Sequence, residues 1–244
     1  MRPMIQTVGD GNADTRRAVQ AGERLLSWME EEKAGKGPGR PGIETAQFGK
    51  GELVYAADDR AAGVYVVASG RVKIFRLSMD GREIILRILG KGDLFGEDCL
   101  MAKQACESFA EAIAETELRI IDRDLVMDRM GQDAVLGMAL FEIAGARLQE
   151  TQKLAERLAF DAVSSRVANL LLELTENQES RGGAAVTLES GLTHQQMAGL
   201  IGTTRETFTS TISQLAAAHI VRPQRRRLEI LDVSALQSIA LTPN

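Results

Sequence analysis

The spacing of apolar positions changes along this chain, and each change marks an element. From Phe48 the pattern alternates in short runs: Leu53–Tyr55, Val64–Ala68, Arg71–Leu77, Glu83–Leu89 and Leu118–Asp122. Gly63, Ser69, Gly70, Asp80, Gly81, Gly90 and Gly92 punctuate them. Short strands at regular spacing with glycine turns predict a small β-barrel or jelly roll. From Leu136 to Phe160 the period lengthens to that of one long helix. Phe141, Ala144, Leu148, Thr151, Ala155 and Leu158 recur at spacings of 3 and 4, a coiled-coil seam. Leu136, Leu140, Ile143 and Leu154 form a second stripe. Two stripes on one helix imply two partners, its own domain and a second subunit. Arg147, Glu150, Lys153, Glu156 and Arg157 flank the seam as charges do in dimers.

Beyond a hinge at Phe160 and Asp161, a helix over Ala162–Glu176 presents Val163, Val167, Leu170, Leu171 and Leu174 to a core. Asp161 is placed to cap it. Asn177–Ala184 reads as a polar loop and Ala185–Glu189 as a strand. Leu192–Leu215 then reads as two short helices with a tight turn. Thr193 caps the first, His194–Ile201, and Thr203 or Thr204 caps the second. Gly202 supplies positive φ at the turn. Glu206 lies near a capping-box spacing. On the second helix Phe208, Ile212 and Leu215 share one face. Arg205, Glu206, Thr209, Ser210 and Ser213 share the other, and these are groups that hydrogen-bond to base edges and phosphates. A hairpin-like stretch, His219–Leu231, follows with an arginine-rich turn, and Asp232 caps a last helix over Val233–Ile239. Before Ile43 the chain is an extension: residues 1–13 lack periodicity, Asp14–Lys33 carries a partial helical stripe, and residues 35–42 are a Gly/Pro-rich break.

Charge sharpens the picture. Between Leu192 and Leu228 the arginines are Arg205, Arg222, Arg225, Arg226 and Arg227, and the one acid is Glu206, so the segment is net +4 in a chain of net −5. A locally basic helix pair with a basic hairpin is what phosphate binding needs. The 244 residues suit one large or two modest domains, and 44% hydrophobic residues suffice for a core. No apolar run approaches the ~20 residues of a membrane span, and the N-terminus lacks a signal-peptide pattern. The expected location is the cytoplasm, away from membranes. There is no nucleophile–base motif, no metal-ligand spacing, and no phosphate-binding glycine loop of the dehydrogenase or P-loop type, so an enzyme is not expected.

The stretch GTTRETFTSTI resembles the recognition helix of the cyclic-AMP receptor protein/Fnr (Crp/Fnr) family of bacterial transcription regulators, through Gly202, Arg205, Glu206 and Thr207 followed by the wing. The run Phe48–Asp98 resembles that family's cyclic-nucleotide-binding domain, ending in GDLFGE. The resemblance covers roughly residues 45–240. It implies an α+β chain: an N-terminal cyclic-nucleotide-binding-type β-barrel (jelly roll), a long dimerisation helix, and a C-terminal winged helix-turn-helix. The expected divisions are 1–42 (extension), 43–132 (sensor), 133–160 (dimerisation helix) and 161–244 (DNA-binding domain). A homodimer would read a near-palindromic operator in double-stranded DNA, with RNA polymerase as a further partner. Arg205 would meet a guanine and Glu206 a cytosine. Thr193, Gln195, Thr204, Thr209, Ser210, Arg222, Arg225, Arg226 and Arg227 complete the candidate interface.

The effector is less well specified. In the family the Gly-Glu pair takes the ribose hydroxyls, and Gly96 and Glu97 match it. An Arg-Ser pair then takes the cyclic phosphate. Here the alignment places Cys106, Glu107 and Ser108, and from Glu97 to Leu118 the one cation is Lys103. A carboxylate ~4 Å from a phosphate repels it by about 1 kcal/mol in water and ~4 kcal/mol at a partly buried site. The lost charge-assisted bond removes a further ~1.5–3 kcal/mol. Together these disfavour cyclic AMP on the order of a thousandfold. Glu97 then either takes a hydroxyl of some other ligand or, the simpler reading, pairs with a local backbone or basic group. Thr151 aligns with the residue that reaches the base, and Gln152 stands where cyclic-AMP-binding members carry a second hydroxyl. Cys99 and Cys106 offer a thiol switch, though two small buried side chains are the simpler reading; two cysteines cannot hold an iron–sulfur cluster within one chain. His194 and His219 fall in the DNA-binding part, which disfavours a haem sensor and suits surface or phosphate-contacting roles. Three controls stay open: a small-molecule effector, thiol state, and protein level. A signalling module that does not act on DNA is the alternative.

Overall fold

The computed structural model describes residues 42–60, 62–100, 105–176, 186–188, 190–224 and 227–242. Residues 1–41 of the N-terminal extension, the loop Asn177–Ala184, Lys103, Arg225 and Arg226 lie outside the described residues. Two compact units emerge. One contains residues 87–149 and the described residues up to 76; the other contains residues 77–86 and those from 150 onward.

In the first unit, β1 (Ile43–Phe48), β8 (Thr116–Asp122), β3 (Gly63–Ser69) and β6 (Leu94–Phe95) form an antiparallel sheet in the order β1-β8-β3-β6. A second sheet has the order β2-β7-β4-β5, from Leu53–Tyr55, Phe109–Ala112, Val72–Leu77 and Glu83–Leu89. The result is a jelly-roll pair of open sheets rather than a closed barrel. Val64, Val66, Val67, Ile74, Phe95, Leu118 and Ile121 are buried in it. Strand β3, paired on both edges, is buried from Gly63 to Val67, so the expected alternation is lost there. Tyr65 and Phe95 lie opposite each other in register, with stacked rings 4.9 Å apart. This pair roots the turn that follows β6. Gly96 has φ +80°, and a Cβ there would lie 2.7 Å from the Tyr65 ring and 2.9 Å from the Gly63 carbonyl. Only glycine lets the backbone pass so close.

Helix α1 (Arg123–Gln132) follows β8 and is capped by the Asp122 side chain, which accepts from the Asp124 N–H. Helix α2 (Ala134–Phe160) is the long helix. Leu140 and Ile143 are buried, whereas Phe141, Ala144, Leu148, Thr151, Ala155 and Leu158 are all exposed.

In the second unit, α3 (Val163–Glu176), α4 (His194–Leu200), α5 (Arg205–Ala217) and α6 (Val233–Ala240) enclose one core with the three-stranded sheet β10-β11-β9, made of Val221–Gln224, Arg227–Ile230 and Val186–Leu188. Val167, Ala168, Leu171, Ala198, Phe208, Ile230 and Leu236 are its most enclosed members.

Candidate nucleic-acid interface and effector pocket

The helix-turn-helix is specified by local signals. Thr193 accepts from the Gln196 N–H, and the Gln196 side chain accepts from the Thr193 N–H at 2.9 Å, a complete capping box on α4. Gly202 closes that helix with φ +62°, and the Thr203 N–H donates to the Ala198 carbonyl at 3.0 Å. This is the left-handed terminus glycine favours. Arg166 of α3 donates to the Ile201 carbonyl, tying α4 to the helix behind it. Thr204 caps α5 by accepting from the Thr207 N–H, so Thr207 occupies the position where Glu206 was expected to complete a box. Glu206 is thereby left exposed on the outer face.

Phe208, Ile212 and Leu215 are buried at 0%, 3% and 5% exposure, which fixes the rotation of α5. Arg205, Glu206, Thr209, Ser210 and Ser213 are consequently exposed together. Among the described residues neither Arg205 nor Glu206 has an ion-pair partner. Thr193 and Gln195 are exposed on the start of α4. In the wing, Arg222 of β10 faces Glu229 of β11 in register and pairs with it at 3.0 Å. Glu229 lies one residue beyond the segment whose charge was counted from sequence, and it offsets one of the basic groups. Arg227 is exposed on β11.

The sensor pocket is organised around Glu97, at the start of a 3-10 turn over Glu97–Leu100. Its Oε1 is paired with the Arg147 guanidinium of α2 and lies 3.8 Å from the Arg87 guanidinium of β5. Arg147 also donates to the Leu94 carbonyl. All three side chains are about four-fifths buried or more, and the cluster is net +1. Sequence reasoning did not assign Arg87 to this site and placed Arg147 beside the dimer seam; α2 instead turns Arg147 inward. Arg157, the other arginine beside the seam, pairs with Glu173 of α3 at 2.6 Å. Glu107 does not face a buried anion site. It is 60% exposed and pairs with Arg76 at 2.9 Å, so its expected repulsion of a ligand falls toward the in-water value. Ser108 is buried, and Thr151 and Gln152 are exposed on α2. Cys106 is 1% exposed, and its backbone bonds to Asp58 and Asp59. A thiol so enclosed is a poor target for an oxidant. The Cys99 side chain lies outside the described residues.

Known proteins match this geometry. Residues 45–133 match the cyclic nucleotide-binding domain, and residues 165–239 match the Crp-like helix-turn-helix domain. The chain is 30% identical over 193 residues to the cyclic AMP receptor protein of Thermus thermophilus, covering 79% of this chain and 86% of that one. The chain belongs to the Crp/Fnr family. It is also 31% identical over 196 residues to the nitrogen fixation regulation protein FixK of Azorhizobium caulinodans, covering 80% of this chain and 78% of the relative. A solved transcriptional regulator of the CRP/FNR family from Thermus thermophilus superposes with TM-score 0.65 at 29% identity, over 82% of this chain and 99% of that one. Members of this family are DNA-binding transcription regulators rather than enzymes. Among the described residues no helix is long and apolar enough to cross a membrane.

Proposed function

We propose that this Crp/Fnr regulator acts in the cytoplasm as a homodimer on a near-palindromic operator. The observation that carries this is the outward row of α5, with Arg205, Glu206, Thr209 and Ser210 exposed over a buried apolar face. Arg205 donates two bonds to a guanine and Glu206 accepts from a cytosine, each contact discriminating by about 1–3 kcal/mol. Thr193, Gln195, Thr204, Arg222 and Arg227 contact backbone phosphates in this reading, and Arg225 and Arg226 add to them by sequence. The dimer forms along α2 through the exposed seam of Phe141, Leu148 and Leu158, whose exposures are 73%, 61% and 37%. RNA polymerase is the further partner.

Control does not follow the usual cyclic-AMP mode. Glu97, which the family's ligand contact would need, already faces two guanidinium groups of its own chain. The relatives bear names as different as a cyclic AMP receptor protein and a nitrogen fixation regulator, so membership leaves the effector open. A second reading, a dimer active without any ligand and controlled by its concentration, is favoured by the same paired Glu97.

The test is fluorescence anisotropy of a labelled palindromic duplex with G·C-rich half-sites, titrated with reduced protein with and without cyclic AMP. Binding that cyclic AMP leaves unchanged supports this reading. Binding that appears only with cyclic AMP overturns the effector argument. Absence of binding in both conditions overturns ligand-independent action.

A further inference from the structure

The two helices of the DNA-binding motif meet at a histidine. His194 opens α4, and its Nδ1 lies 3.1 Å from the hydroxyl of Thr209 on α5. Its ring meets the buried Phe208 ring edge-on, with centroids 5.2 Å apart. The imidazole is therefore held at two points against the recognition helix, on the same exposed surface as Arg205 and Thr209. With Nδ1 engaged by Thr209, Nε2 is the nitrogen left for a group outside the chain.

We propose that His194 is a proton-linked phosphate contact, so that docking on DNA takes up a proton at each engaged recognition helix. This rests on the DNA-binding reading above and adds a regulatory input to the same surface.

The charges around the ring make the free and bound states differ. Burial first, and then the Arg205 guanidinium, push the His194 pKa below its usual value of 6.5. Arg205 is the charge among the described residues that acts on the ring, and its neighbour Glu206 does not offset it. Free protein near neutral pH thus carries the neutral imidazole. A phosphate monoanion at Nε2 favours the cation, because an opposite charge within about 4–6 Å stabilises the ionised form. The phosphates of the DNA also oppose the positive potential that Arg205 sets at the ring, weakening the repulsion that works against protonation. Protonation then makes both ring nitrogens donors, with Nε2 bonding to phosphate and Nδ1 to Thr209. The bound pKa exceeds the free pKa, so affinity rises as pH falls from the bound value to the free one. The steepest dependence is about tenfold per pH unit for each linked proton.

The chain makes this unusually readable, because it contains only two histidines. The other, His219, is exposed in a left-handed turn with φ +58° after α5 and has no described bond to the recognition helix's outer face. The experiment uses full-length protein and a duplex selected by that protein from a randomised pool. Binding is measured by anisotropy at constant ionic strength from pH 5.5 to 7.5, with calorimetry in buffers of different ionisation enthalpy to count protons. Wild type should bind at least several-fold tighter at pH 6 than at pH 7.5 and take up protons on binding. His219→Asn should behave the same. His194→Gln should bind with a flat profile, and His194→Arg should bind at pH 7.5 about as tightly as wild type at pH 6. A pH dependence that survives His194→Gln, or a wild-type profile that is flat, overturns the proposal while leaving DNA binding intact. Failure to select or bind any duplex at any pH overturns both.

Discussion

Two glutamates in this protein sit beside arginines and have opposite fates. In the sensor unit Glu97 is drawn between Arg147 and Arg87, inside the fold and largely out of solvent. On the recognition helix Glu206 stands next to Arg205, both exposed, with no ion-pair partner among the described residues. Residue type is the same; the difference is what the packing behind them demands. Phe208 and Ile212 enter the core and rotate Arg205 and Glu206 outward, leaving their hydrogen-bonding capacity for base edges. Ile143 enters the core from α2 and brings Arg147 inward with it. A charged group turned outward is available to a partner, whereas Glu97, turned inward, has its charge met within the chain through Oε1.

That contrast can be broken, beginning with the largest effect. If outward groups await partners, replacing both Phe141 and Leu148 with Asp should leave a monomer in sedimentation and abolish tight operator binding. Burial of each side chain stabilises by about 1.5–3 kcal/mol, so the four in a dimer amount to ~6 kcal/mol or more. Arg147→Ala should lower unfolding stability in urea by about 3 kcal/mol, the lower end of the range for breaking a buried pair, since Glu97 retains some solvent. Arg205→Ala should do the reverse: no change in urea, and a loss of about 1–3 kcal/mol in operator affinity with relaxed preference at one G·C pair. A large stability loss in Arg205→Ala would dissolve the comparison. Thr204→Ala removes the α5 cap and should cost about 1 kcal/mol of stability. Smallest of all, Glu229→Gln should change stability by under ~1 kcal/mol, while steepening the salt dependence of DNA binding by roughly one phosphate contact as Arg222 is released.

The strands that reading the alternation found with their full bounds, β2 and β5, carry strong β-formers. It missed β1, β6 and β7, and the helix α1. Strand β7 reads Phe-Ala-Glu-Ala, poor in β-branched residues, and exists because β2 and β4 pair with both its edges. Strand β6 is two residues long. Helix α1 buries Val126 alone, so it offered no apolar stripe to detect. In the effector pocket the absence of an arginine after Glu97 was legible, but not the two that reach Glu97 from β5 and α2.

What the sequence determined by itself was the helix-turn-helix and its outward face. Its signals are local: Thr193 and Thr204 cap within three residues, Gly202 takes the left-handed turn, and Phe208, Ile212 and Leu215 set one helical phase. Interactions closed over a few residues are readable from spacing. Only the tertiary structure decided the partners of Glu97, the pairing of Arg222 with Glu229 across the wing, and the seating of His194 against Thr209. Those contacts join separate elements. Helical phase narrows the face a residue occupies, but which charge meets which depends on how the elements pack.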